Sequence, residues 1–197
     1  LINVPAPELV KNGLILSPKL NVYDREEERN KENASDIDRD VVLDILDDIE
    51  EDTNAKVLVS APNTRILWSM LAQTDIITEL KSRDYDIMHI TAKHGAYINR
   101  QKVRRDKFFD TLSQWGEDDD KKFILFHYSI LSEGINVRGL THSVLLRNLP
   151  VIEMAQTIGR VIRLHKYDYQ DIQNNKISAG DTESYRKPHG IINVPVN

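Results

Sequence analysis

Short apolar runs alternate with amphipathic stretches along most of this chain. Lys56 to Pro62 (KVLVSAP), Asp86 to Ala92 (DIMHITA), Lys122 to Ser129 (KFILFHYS), His142 to Asn148 (HSVLLRN) and Gly190 to Val196 (GIINVPV) each read as a strand with little polar face. Such runs suit strands buried on both sides. Between them the spacing turns helical. Val42, Ile45, Leu46 and Ile49 predict a helix over 41–49, and Leu67, Met70, Leu71, Ile77 and Leu80 predict one over 64–83. A helix over 98–115 would bury Phe108, Leu112 and Trp115 and expose Arg100, Lys102, Arg104 and Arg105. Another is expected over 151–164. Strands alternating with helices at this interval predict an α/β fold with a parallel sheet covered on both faces, and place a site in the loops beyond the strand ends.

Three segments stand outside this rhythm. Leu14 to Leu16 and Leu20 to Tyr23, interrupted by Pro18, read as an edge strand. Asp24 to Asp36 (DREEERNKENASD) offers little to bury and is expected to be solvated, with Ser35 or Asp36 capping the next helix. Lys166 to Lys187 is polar and without clear period, and reads as an extended loop or insertion near 167–187. The expected organisation is a lead-in segment and charged linker over 1–40, then one large domain over 41–197.

Composition narrows the class rather than the function. The 197 residues are 40% hydrophobic and 29% charged, enough for a real core. A net charge of −5 gives no global basic field, so any nucleic acid must be met by a local face. There is no cysteine, hence no disulfide framework or thiolate metal site. No apolar run approaches the ~20 residues needed to span a bilayer, so a cytoplasmic protein without membrane partners is expected. The chain opens at Leu1 without methionine, which predicts a piece of a longer polypeptide.

Glu153 to Lys166 (EMAQTIGRVIRLHK) carries the most specific chemistry. At about 100° per residue, Gln156, Arg160 and Arg163 fall within roughly 60° of one another, opposite Met154, Ile158, Val161 and Ile162. One face packs while the other presents donors. Two guanidiniums on one rigid face suit a polyphosphate, because their planar forks match phosphate oxygens. Gly159 weakens the helix by about 1 kcal/mol relative to alanine, as expected where another backbone or a ligand comes close.

The pattern Gln-x-x-Gly-Arg-x-x-Arg resembles motif VI of superfamily 2 helicases and translocases, and the resemblance runs in order along most of the chain. Val57 to Asn63 (VLVSAPN) is similar to their motif IV strand. Ile90 to Leu112 resembles the segment in which a strand leads to His-Gly and an arginine-rich helix. Phe126 to Leu140 (FHYSILSEGINVRGL) resembles motif V, with Ser129, Gly134, Ile135 and Asn136 at its key positions. Serine and asparagine stand where that motif commonly has threonine and aspartate. Pro7 to Pro18 and His189 to Val196 resemble the flanks of the second lobe in restriction-type and phage helicases.

The resemblance implies a second RecA-like lobe of an ATP-dependent DNA helicase or translocase, with double-stranded DNA the expected track and RNA left open as a substrate. It gives Arg160 and Arg163 the role of arginine fingers, each able to supply about 10³ to 10⁵ in rate. Gln156, Gly134 and Asn136 would contact the nucleotide or couple its cleft to the track. Asn63, His94, Tyr128, Ser129 and Ser132 would lie along the nucleic-acid backbone. No phosphate-cradling Gly-x-x-x-x-Gly-Lys-Ser/Thr loop is present in the sequence. The cofactor, ATP with Mg2+, is therefore expected to have its metal held by an N-terminal RecA-like lobe, and this chain alone is expected to be inactive. A nuclease or methylase subunit is a further partner that the restriction-type resemblance implies. Two other readings compete: a non-catalytic RecA-like module binding nucleic acid or protein, and an unrelated nucleotide-binding α/β half-domain. The first leaves two arginines on the motif VI face without use; the second leaves five ordered motifs without a cause.

Overall fold

A computed structural model describes residues 6–25, 27–52, 54–129, 139–147, 159, 161–187 and 189–196. Eight strands form one sheet: β1 (Ser17–Asp24), β2 (Lys56–Ser60), β3 (Asp86–Thr91), β4 (Gly95–Ile98), β5 (Gln101–Val103), β6 (Phe123–His127), β7 (His142–Leu145) and β8 (His189–Val196). Their order is β1-β8-β7-β2-β6-β3-β4-β5. The first six in that order run parallel, and β4 and β5 close one side as an antiparallel ribbon. This is the expected α/β sheet. Pro18 sits in β1, at the sheet edge, where a missing N–H costs least.

The period of two along the strands divides the core. Val57, Val59, Ile87, Ile124, Phe126 and Val144 point to one face, beneath α2 (Ala34–Asp48), α3 (Thr64–Gln73) and α4 (Ile76–Ser82). Leu58, Met88, Phe123, Leu125 and Leu145 point to the other, where they meet Phe108 and Leu112 of α5 (Arg105–Glu117) and Val161. Strands so placed have both faces covered from water, which is why their sequences are apolar throughout. A third, smaller cluster joins Leu16, Leu164 and Tyr185, with Ile172 and Ile177 packed against it.

Several elements differ from the expected boundaries. The first long helix begins at Ala34, so Ser35 and Asp36 lie inside it, and Asn33 at the N-cap position makes no side-chain cap bond. The Asn33 side chain turns back to accept from the Asn30 N–H at 2.7 Å. The charged stretch before it is tied down by Arg29, whose guanidinium grips both oxygens of the fully buried Asp38 at 2.8 and 2.9 Å. Burial pushes the Asp38 carboxyl up, and Arg29 opposes that shift. The helix expected over 64–83 is two, broken at Thr74, whose hydroxyl donates to the Met70 carbonyl. That back-bond satisfies a carbonyl near the helix end and ends α3.

The expected helix over 98–115 begins only at Arg105. Residues 95–103 form a hairpin, turned by Asn99 and Arg100 with φ of 47° and 71°. Asn99 pays for its strained backbone with two bonds: its Oδ1 accepts from the Ile87 N–H at 2.9 Å, and its Nδ2 donates to Asp86 at 2.8 Å. The polar insertion also has structure, a helix α6 (Lys166–Gln173) and a short 3-10 turn at Thr182–Ser184. Most of 151–164 lies outside the described residues, although Gly159 and Val161 are helical.

Candidate functional site

The carboxyl ends of β2, β3 and β6 open onto one groove. Beyond β2 the chain stays extended to Asn63, whose side-chain oxygen accepts from the Ile66 N–H at 2.8 Å and so caps α3. Such a cap contributes about 1 kcal/mol. The helix then turns Leu67 and Met70 into the core and leaves Trp68 on its flank. Beyond β3, the Thr91 hydroxyl accepts from the His94 N–H at 3.0 Å and tightens the turn. Gly95, at φ 84°, starts the return strand.

That turn lays the His94 ring on Trp68, with centroids 3.9 Å apart and planes 18° apart. A second stacked pair, His89 and Tyr97, stands behind it at 4.7 Å and presents edges to Trp68. Burial, with His94 nearby, pushes His89 down to about 4, so the pair meets Trp68 without charge. On the β6 side Tyr128 is half-buried and lies 5.1 Å under the Arg147 guanidinium. Ser129 follows, exposed and at φ 59°. Beneath it, buried His127 is hydrogen-bonded through Nε2 to Ser60 Oγ at 3.0 Å. Burial, with Arg147 adding to it, pushes His127 down to about 3. The groove encloses about 650 Å³, lined by Asn63, Arg65, Trp68, Lys93, His94 and Tyr128 among others.

The expected site residues thus divide. Asn63, His94 and Tyr128 share the groove, and exposed Ser129 follows Tyr128 in the chain without lining it. Ser132, Gly134 and Asn136, with Gln156 and Arg160, lie outside the described residues. Arg163 lies in a bend just beyond helical Val161, so the helix expected to run to Leu164 stops short of it, and the Arg163 carbonyl accepts from Lys187 Nζ at 2.7 Å. The neighbouring Ile162 carbonyl accepts from the Leu16 N–H at 2.7 Å. Both bonds satisfy carbonyls at a helix terminus.

Lys187 is buried, and burial is the main reason it is pushed down to about 7; Asp168 opposes the shift and Arg163 adds to it. Fully buried Asp168 accepts from the backbone N–H groups of Arg186 and Lys187 at 3.0 and 3.1 Å. The insertion therefore holds the end of the arginine-bearing segment. Gly190 completes this contact: a Cβ there would lie 2.7 Å from the Val161 carbonyl oxygen. Among the described residues no backbone makes the close approach expected at Gly159, where a Cβ would meet none of their atoms within 4 Å.

Sequence reasoning missed Trp68, Tyr97, Asp168 and Lys187. Trp68 sits in a helical run whose other apolar members are core, so only the turn at His94 reveals its role. Asp168 and Lys187 lie in a stretch whose polarity hides two buried side chains. Among the described residues, no group of three or more His, Asp or Glu side chains could hold a metal ion, so Mg2+ has no described ligand set here. Among them too, no helix is long and apolar enough to cross a membrane.

No protein-family model and no curated protein matches the chain by sequence. Solved structures do match its fold. Domain 2 of the DEAD-box helicase Mss116p, bound to an RNA duplex, superposes with a TM-score of 0.52 at 13% identity, covering 92% of this chain and 54% of that one. The C-terminal part of the Fun30 ATPase domain superposes with a TM-score of 0.50 at 16% identity, covering 86% of this chain and 44% of that one. The chain spans about half the length of these structures.

Proposed function

We propose that this chain is the second motor lobe of an ATP-dependent superfamily 2 helicase or translocase of restriction or phage type, acting on DNA in the cytoplasm. One observation carries this reading. The fold is that of helicase second domains, and Asn63, His94 and Tyr128, each from a different family-like segment, meet at the carboxyl ends of β2, β3 and β6, where open α/β sheets bind ligands.

In the proposed mechanism, closure onto an N-terminal RecA-like lobe brings Arg160 and Arg163 to the phosphates of ATP. Their fixed charge stabilises what develops on the transferring phosphoryl group. Gln156 helps hold the nucleotide. Gly134 and Asn136 link that cleft to the track, where Asn63, His94, Tyr128, Ser129 and Ser132 meet the strand. The bound Mg2+ would supply further charge neutralisation from the other lobe. Reopening after hydrolysis moves the track by a step. The Lys187 and Leu16 bonds to the carbonyls of Arg163 and Ile162 fix the end of the arginine segment, as a preorganised donor requires.

Half a cleft binds nucleotide weakly. The isolated chain is expected to bind short DNA in a salt-sensitive way and to show no ATP turnover with or without DNA. DNA-stimulated ATPase activity from the chain alone contradicts the two-lobe reading.

A further inference from the structure

We propose that Trp68 and His94 form a stacking platform for an unpaired nucleobase, so that the groove takes the base of a single strand as well as its phosphates. The inference rests on the reading of this groove as part of a nucleic-acid track and adds a ligand chemistry to it.

A tryptophan kept only for the core would point into an apolar cluster. Trp68 belongs to neither cluster that flanks the sheet. It lies half-buried in the groove wall, flat against half-buried His94 and edge-on to His89 and Tyr97. The second stacked pair holds the first from behind, so the platform is supported rather than free to rotate. A flat ring system with a solvent-facing side matches a base, since every base offers a π face.

The rim supplies the rest of a nucleotide's needs. Arg65 and Lys93, both exposed, flank Trp68 and His94 in the chain and line the same groove. Among the described residues its lining holds no carboxylate, in a protein of net charge −5. That local departure from the overall charge complements a phosphodiester backbone. The volume of about 650 Å³ lies inside the roughly 300–1,000 Å³ of small-ligand sites, enough for one or two nucleotide units. A base within a duplex has both faces covered by its neighbours, so the platform selects unpaired strand.

The test compares a short oligothymidylate with an abasic phosphodeoxyribose oligomer of equal length and charge. The chain has two tryptophans, and the Trp115→Phe variant leaves Trp68 as its only indole fluorophore. The expected result is quenching by the thymidylate, and about tenfold tighter binding of it than of the abasic oligomer. His94→Ala should reduce that preference to near unity, while His94→Phe should keep it. Only the His94 backbone N–H bonds Thr91, so alanine leaves the turn intact. Trp68→Leu, checked for folding by its thermal melt, should act like His94→Ala. Equal binding of the two oligomers, or a preference that survives His94→Ala, overturns the stacking platform and leaves the track reading standing. Absence of binding to either oligomer at low salt overturns both.

Discussion

Two histidines show how single side chains set the chemistry of the groove. Burial holds His89 near 4 and His127 near 3, both below the ordinary value of 6.5. Their unfolded forms therefore take up protons, between pH 6.5 and those values, that the folded forms refuse. Stability from this source is complete above about pH 6.5 and is lost as pH falls toward 4, by up to about 1.4 kcal/mol per pH unit for each ring. Urea unfolding at a series of pH values should show this slope. His127→Gln keeps a partner for Ser60 and removes one titrating ring, so it should lower the slope by one ring's share; an unchanged slope would mean His127 is not held neutral. The same burial made His127 hard to read from sequence. Nothing in KFILFHYS separates a core histidine from a groove histidine, and Asn63, placed on the track by resemblance, was not read as the cap of α3 that it also is.

At the scale of elements, what periodicity could see depended on how far each element is buried. Strands β2, β3, β6, β7 and β8 fall where apolar runs placed them, because both their faces are covered. The ribbon of β4 and β5 did not, since its half-exposed strands and turn carry Tyr97, Arg100 and Lys102 in a pattern that also fits a helix face. Its turn gives no Asn-Gly signal; Arg100 occupies the position where glycine would be expected, at φ 71°. Arg100→Gly should therefore stabilise the protein by about 1 kcal/mol, read as a rise in the urea midpoint. A fall would mean that the Arg100 side chain holds the ribbon. The insertion teaches the converse lesson. Its polarity suggested a loop, yet Asp168, Lys187 and Tyr185 are buried because each meets a partner supplied by a distant segment, and such long-range pairing leaves no local period.

The whole molecule is built on one sheet whose carboxyl edge gathers Asn63, Trp68, His94 and Tyr128 into one groove. Motif order and a RecA-like fold agree, and they come from independent kinds of observation. In the proposed function the aromatic groove serves as the strand-holding track and the arginine segment as the phosphate-facing edge. The central claim is that Arg160 and Arg163 act on a nucleotide held by another lobe. Its most direct test is the steady-state ATPase rate, with DNA present, of a two-lobe protein containing this chain, before and after the double change Arg160→Ala and Arg163→Ala. The account predicts a loss of about 10³-fold or more in turnover with DNA affinity nearly unchanged. Turnover that survives the double change would contradict it.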